Sequence, residues 1–317
     1  MNERFKTDHQ IRSLDEIYQI ATGLVEKHGP YTIAVAAGED IMGIGGLALG
    51  KERGIIEPIL VGHPDHIRQS FFELGLSLQG WNVIEEKDDI AATQIAAKMV
   101  SEGEADILMR GKLLARDFMK ALLDKKSGIK RNGALWTNVV VTKIEKLDRL
   151  LFVTDCAVIV NADIATRLKQ IQEVIEFAAF LGVTEPKVAL LAAVETVSLS
   201  MPVSMEEAII AKMCERGQFP RNIQVDGPLS LDLSINPEAV AKKGFKGKVA
   251  GNADILSVNN LKIGNLLFKS LITLCGGNSA STIIGLPFPV VLTSRSESPE
   301  NILYSFALSI LMAGPKE

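Results

Sequence analysis

Histidine is scarce in this 317-residue chain and confined to one end. Its four copies are His9, His28, His63 and His66. A Ser-His-Asp triad around any later serine would need one of them to fold back, and nothing in the sequence supports that. His63-Pro64-Asp65-His66 offers two imidazoles, but with Pro between them and no third ligand it reads as a loop and helix start, not a metal pair. Cysteine is equally sparse. Cys156, Cys214 and Cys275 form no Cys-x-x-Cys pair, Cys156 and Cys275 sit in apolar contexts that read as core, and the natural compartment is a reducing cytoplasm. No apolar run approaches the roughly 20 residues of a membrane span. The start, Met1-Asn2-Glu3-Arg4-Phe5-Lys6, lacks the apolar core of a signal peptide. Positive charge is not in excess: the net charge of −4 argues against a protein that coats nucleic acid. Internal repeats, low-complexity tracts and Pro-rich linkers are also missing, so any domain boundary is a compact crossing and not a tether.

What is present is a chain of ordinary globular composition, long enough for about two domains. Apolar, β-branched segments alternate with segments of helical spacing. Strands are expected at Tyr31 to Ala37, Ile55 to Val61, Trp81 to Ile84 and Ala105 to Met109, with helical spacing over Ala91 to Val100 and Arg116 to Leu123. That alternation predicts an α/β fold built from parallel βαβ units. The middle changes style. Leu135 to Thr142 and Leu150 to Val160 are separated only by Lys143 to Arg149, which suits an antiparallel pair. Further strands are expected at Lys187 to Val194, Ile223 to Val225, Ala253 to Val258 and Pro289 to Leu292. Helices are expected over Asp163 to Leu181, over Ser204 to Glu215 with Ser204 and Glu207 as a capping box, and over Leu266 to Leu274. The polar stretch Lys125 to Gly133 is the best place for a first domain crossing, and Gly276 to Ser281 for a second.

Four segments carry candidate chemistry. Thr293-Ser294-Arg295-Ser296-Glu297-Ser298-Pro299-Glu300-Asn301 joins a buried strand to the apolar stretch Ile302 to Met312. Ser298 is a good N-cap and Pro299 suits the first helical position, so Ser294, Arg295 and Glu297 lie beside a helix N-terminus, where anions are favoured. Arg110-Gly111-Lys112, with Arg116 and Lys120 on one helix face, follows a strand end directly. Strand ends line the ligand crevice of α/β sheets, and with Lys125, Lys126, Lys130 and Arg131 this is the densest cationic stretch of an acidic chain. The alternative is a solvated helix face. Gly264-Asn265 would open the helix Leu266 to Leu274 and offer free N–H groups, or serve as an ordinary N-cap. The Gly43 to Gly50 segment lacks the spacing of a dinucleotide loop and reads as a helix start that tolerates close packing.

In order along the chain, Leu108 to Lys112, Leu150 to Asp155, Glu185 to Ala189 with Val194 to Val197, Val225 to Asp232, Ala253 to Leu256, Gly264-Asn265 and Leu292 to Arg295 resemble the phosphate acetyl/butyryltransferase family, most closely its butyryltransferase branch. The resemblance covers nearly the whole length. It implies two α/β domains with the active site in the cleft between them, similar to the isocitrate/isopropylmalate dehydrogenase fold. The second domain is inserted, giving 1–131 with 281–317 as one domain and 132–280 as the other. It implies the reaction acyl-CoA + phosphate ⇌ acyl phosphate + CoA by direct transfer in a ternary complex, with no metal or other cofactor, in a homodimer or larger homo-oligomer. Residue by residue it places catalysis on Ser294, Arg295, Glu297 and Asn301, and phosphate or CoA binding on Arg110, Gly111, Lys112, Arg116, Lys120, Asp155, Gly264 and Asn265.

The chain departs from the acetyltransferase branch at one position: where that branch has an Asp seven residues after the motif serine, this sequence has Asn301, which cannot act as a base. Glu297 then takes the role, or Asn301 merely positions the thiol. The alternatives are a phosphate acetyltransferase, a dehydrogenase of the shared fold, whose nucleotide and metal carboxylates Asp155 and Asp163 do not assemble, and a non-catalytic acyl-CoA/phosphate-binding relative that lost its base.

Overall fold

A computed structural model describes residues 7–130, 133–219, 223–294 and 297–316. Among the described residues the chain divides into two units, 14–134 with 279–316, and 135–278 with 7–13. The sequence alone groups residues 1–131 together. Residues 7–13 instead pack on the second unit, where Ile11 donates its N–H to the Leu181 carbonyl at 3.1 Å. The backbones come so close there that a Cβ on Gly182 would lie 2.2 Å from the His9 carbonyl oxygen.

The first unit starts with α1 (Leu14–His28), β1 (Tyr31–Ala36), α2 (Ile41–Glu52), β2 (Ile56–Gly62), α3 (Pro64–Glu73), β3 (Asn82–Glu85), α4 (Asp89–Ser101), β4 (Ile107–Arg110) and α5 (Ala115–Leu123). In the second unit come β5 (Thr137–Lys143), β6 (Leu150–Thr154), α6 (Ile164–Phe180), β7 (Lys187–Leu191), α7 (Pro202–Glu215), β8 (Gln224–Leu229), α8 (Leu231–Ile235), α9 (Pro237–Lys243), β9 (Ile255–Ser257) and α10 (Leu261–Thr273). The chain then adds β10 (Asn278–Ile284), β11 (Val290–Val291) and α11 (Pro299–Ala313) to the first unit.

Strands of the first unit lie in the order β3-β2-β1-β4-β11-β10, parallel except for the antiparallel β10/β11 pair. Those of the second lie in the order β5-β6-β9-β7-β8, where only β5 and β6 are antiparallel, as their short charged connection predicts. Nearly continuous apolar strands such as β4 and β6 are buried on both faces, as strands of helix-covered parallel sheets are.

Several local expectations are corrected. The Gly43 to Gly50 segment lies inside α2, which is capped by Asp40. Its glycines serve close packing: a Cβ on Gly46 would lie 2.4 Å from Ile302, and one on Gly50 2.8 Å from Ile56. Helix α7 begins at Pro202, whose fixed φ suits a first turn, so Ser204 is inside the helix and not its cap. Its partner in the expected capping box, Glu207, instead pairs with Arg167 of α6, both fully buried. Helix α10 begins at Leu261 with Asn260 as cap, so Gly264-Asn265 lie within it and do not open it. Cys156 is buried as expected, but Cys275 is exposed, because α10 ends two residues before it and the chain turns outward.

Burial pushes the Glu207 carboxyl upward, and the charge of Arg167 is the main opposing influence. Arg167 also donates to Ser257 Oγ at 3.1 Å. Removing one partner of such a pair strands the other charge, whereas replacing both with apolar groups does not. Arg167→Met is therefore expected to cost about 3–5 kcal/mol in urea unfolding, with most of the loss recovered in Arg167→Met/Glu207→Leu; a single-variant loss below about 1 kcal/mol would contradict the account.

Candidate active site

The first unit gathers its candidate residues where β1, β4 and β11 end. Parallel pairing of β4 with β11 sets Val291 beside Met109, so Arg110 and Thr293 leave the sheet as neighbours. The Arg110 side chain is buried and donates to two carbonyls, Leu113 O at 3.0 Å and Thr293 O. One guanidinium thus fixes both its own turn and the residue before Ser294. A planar donor fork suits that task better than an ammonium.

Gly111 has a physical requirement. Its N–H donates to Ala36 O at 2.8 Å and that of Lys112 to Ala37 O at 2.9 Å. A Cβ on Gly111 would stand 2.0 Å from Ala37 O, so no larger residue fits. Ala37 itself has φ of 51°, the sole non-glycine in the left-handed region among the described residues. The strand ends are therefore drawn together by backbone contact.

Beyond Thr293 the turn closes on Glu297. The Ser294 N–H donates to Glu297 Oε2, and the Glu297 N–H returns to Ser294 O at 3.1 Å. Ser279 Oγ lies 3.4 Å from Glu297 Oε1. Glu297 is 1% exposed and Asn301 3%, while Ser294 is half-buried. Ser298 caps α11 as expected, accepting the Asn301 N–H at 3.2 Å, with Pro299 at the first helical position. The Asn301 side chain turns inward, where its Oδ1 accepts the Ser279 N–H at 3.1 Å. Arg295 lies outside the described residues, as do Ser296 and Arg131.

The cationic cluster is more neutralised than its sequence implies. Arg116 is exposed and lies 3.2 Å from Asp117. Lys112 and Lys120 border a cavity of about 560 Å³ together with Asp89, Asp117 and Asp124. On its other side Lys112 borders a cavity of about 340 Å³ with Glu39, Asp40, Glu73 and His66. Formal charges therefore sum to −1 and −2 with His66 neutral. Neither cavity carries a net positive charge among its lining residues. Glu39, at the β1 end, carries no signal in the sequence beyond its place after a strand. Burial raises its carboxyl, its own backbone N–H opposes, Asp89 raises it further, and Lys112 and His66 pull it down. His63 and His66 stack at 4.1 Å, and among the described residues no three His, Cys, Asp or Glu side chains are grouped to hold a metal.

In the second unit, Asp155, Gly264 and Asn265 come together at the end of β6. Asp155 is buried and its carboxylate accepts four donors: Thr137 Oγ1 at 2.8 Å, Asn138 N at 2.9 Å, and Ala157 N and Val158 N each at 2.7 Å. Burial pushes its carboxyl up against the pull of those donors. A Cβ on Gly264 would lie 2.0 Å from Asp155 O, and Asn265 Nδ2 donates to Cys156 O at 3.2 Å. These residues pin α10 against the strand end.

Comparison with known proteins shows what the chain as a whole is similar to. A family model described as Phosphate acetyl/butaryl transferase matches residues 88–310. The phosphate butyryltransferase of Clostridium acetobutylicum is 35% identical over 284 residues, covering 90% of this chain and 94% of that protein. The phosphate acetyltransferase of Thermotoga maritima is 36% identical over 300 residues, 95% and 99% of the two chains. A branched-chain phosphotransacylase from Enterococcus faecalis V583 superposes with a TM-score of 0.76 at 28% identity, over 90% of this chain and 100% of that one. A 4-hydroxythreonine-4-phosphate dehydrogenase from Klebsiella pneumoniae shares the fold alone, with a TM-score of 0.53 at 13% identity over 90% and 98% of the chains.

Arg110→Met leaves the Leu113 and Thr293 carbonyls without their donor, and is expected to lower the urea unfolding free energy by about 1–3 kcal/mol. An Arg110→Met variant as stable as the parent would show that the clamp does not hold the turn.

Proposed function

The chain belongs to the phosphate acetyl/butyryltransferase family, and from that premise we propose that it interconverts acyl-CoA and phosphate with acyl phosphate and CoA, acting on a short chain such as butyryl. The observation that carries this reading is the Ser294 turn: a half-buried serine shortly before a helix start, whose backbone is held by Arg110 at the preceding carbonyl and by Glu297 at its own N–H.

A phosphate oxygen attacks the thioester carbonyl carbon, and charge gathers on the carbonyl oxygen. Ser294 Oγ–H is the donor aimed at that oxyanion, since the Ser294 backbone N–H is already held by Glu297. Collapse breaks the carbon–sulfur bond and releases CoA. In the forward direction Glu297 takes the proton that the attacking phosphate loses and passes it to the leaving sulfur; in the opposite direction it accepts the thiol proton and returns it to the departing phosphate. Arg295, outside the described residues, is assigned the phosphate on the strength of the family resemblance, as Arg suits bidentate contact with phosphate oxygens. Lys112, Lys120 and Arg116 are assigned to the phosphates of CoA at the margin, and Gly111 to the backbone approach that brings Lys112 there. Asp155, Gly264 and Asn265 act through the backbone they fix. CoA and phosphate are the substrates, and the scheme needs no further cofactor. Holding the two in line supplies much of the rate.

The proposed compartment is the cytoplasm, where CoA thioesters and free thiols such as Cys214 are at home. No described helix is long and apolar enough to cross a membrane. The proposed working form is a homo-oligomer closed by the second unit. In support, Leu231, Ile263 and Leu266 are 38%, 44% and 69% exposed and line an apolar cavity of about 620 Å³ with Leu191, Met201 and Leu267. Apolar surface of this kind marks a contact face. Leu266→Asp is expected to lower the mass found by sedimentation equilibrium to that of the monomer; an unchanged mass would place the interface elsewhere.

The function is tested by phosphate-dependent CoA release from acetyl-, butyryl- and branched acyl-CoA. The reading predicts release that requires phosphate and is fastest with butyryl or branched chains. Preference for acetyl would make the chain a phosphate acetyltransferase, and binding without release would make it a non-catalytic relative. Ser294→Ala is expected to lower turnover by about 10²–10³ while acyl-CoA still binds.

A further inference from the structure

Helix α5 begins differently from most of its neighbours. Helices α2, α4, α6, α10 and α11 are each capped by an Asp, Asn or Ser side chain that accepts a first-turn N–H. Helices α3 and α7 open on Pro. The cap position of α5 holds Leu114, whose backbone is extended as a cap requires but whose side chain closes no hydrogen bond. A leucine there forgoes the stabilisation that a Ser or Asp brings. It is also 55% exposed. One exposed leucine is ordinary on a protein surface. One that also displaces a helix cap is unfavourable to folding twice over, and such breaches of local rules gather at functional sites.

The place of Leu114 supplies a reason. Arg110 donates to Leu113 O from one terminal nitrogen and to Thr293 O from the other. A single guanidinium thus holds the residue before Leu114 beside the residue before Ser294, all within the first unit. Leu114 lines the cavity of about 560 Å³, whose other apolar lining is Ile90, Leu113 and Ala121. Leu113 and Ala121 are buried and Ile90 is half-buried, so Leu114 is the one of the four that presents most of its side chain. The phosphates of CoA seek the lysines of the margin. The uncharged part of the substrate that must lie at Ser294 is the acyl group, and Leu114 is the accessible apolar surface tied to that turn.

Resting on the acyl-transfer reading, we infer that Leu114 is a specificity-determining residue whose side chain covers the acyl chain beyond the thioester carbonyl and so favours butyryl over acetyl. Butyryl exceeds acetyl by two methylenes, each worth about fourfold when removed from water. Discrimination of that size is what an apolar wall gives. The helix cap is given up for substrate contact.

The test compares acetyl-CoA with butyryl-CoA in the full chain, by kcat/KM for phosphate-dependent CoA release and by dissociation constants from calorimetry, with CoA alone as a third ligand. Leu114→Ser gives α5 a polar cap and removes the apolar side chain. It is expected to lower the butyryl-to-acetyl ratio by roughly 4–15-fold, with a urea midpoint at or above that of the parent. Leu114→Ala, which restores no cap, should lower the ratio in the same way. Leu114→Met, of similar volume, should keep most of it. An unchanged ratio in the Ser and Ala variants overturns the inference. So does an equal loss on acetyl-CoA, butyryl-CoA and CoA, which would set Leu114 against the CoA arm, or a fall in the urea midpoint of Leu114→Ser, which would make Leu114 a structural residue. A parent chain that binds acyl-CoA but releases no CoA counts against the acyl-transfer reading, while the ratio of dissociation constants still decides whether Leu114 meets the acyl chain.

Discussion

The Arg110 guanidinium donating to the Leu113 and Thr293 carbonyls is the contact on which the candidate site depends. It couples two segments 183 residues apart in sequence. Without it the turn after β4 and the turn before Ser294 would be independent loops, each free to leave the strand ends. Burial makes the constraint firm, because a buried carbonyl deprived of its donor is costly. Below the clamp, Gly111 presses its backbone on Ala36 and Ala37. Above it, Glu297 and Asn301 hold the Ser294 turn to β10. The chain thus builds a rigid frame around one hydroxyl.

Charge is distributed in a way that composition does not reveal. The basic residues between Arg110 and Lys120 look like an anion site in sequence. In three dimensions Arg110 serves carbonyls, Arg116 meets Asp117, and Lys112 and Lys120 border acidic cavities. This sorting gives a division of labour. Under the proposed function, the turn at Ser294 would take the small anion and the lysines at the margin the larger polyanion. Arg is suited to the fixed role and Lys to the mobile one.

Much of the fold was legible because parallel strands buried on both faces read as apolar runs, and the antiparallel β5/β6 pair followed from its short connection. Strand β10 was not, since its Asn-Ser-Ala-Ser-Thr start mimics a loop; its buried polar groups are satisfied by α11, a partner invisible to local pattern. Gly264 looks like a boundary of helix α10 in sequence, whereas it is small to admit the Asp155 carbonyl. At the site, Ser298 and Pro299 announced the helix start, and the ordered motifs pointed to Ser294 and Glu297. Glu39 and Ser279 gave no such signal, for each acts through neighbours distant in sequence. Asn301, a departure from the acetyltransferase pattern, accepts the Ser279 N–H through its Oδ1.

The most direct test of the central claim is phosphorus NMR of the purified chain mixed with butyryl-CoA and inorganic phosphate. The account predicts an acyl phosphate resonance that grows in step with CoA release and is suppressed in Ser294→Ala. CoA release without acyl phosphate, or an acyl phosphate yield untouched by Ser294→Ala, would contradict it.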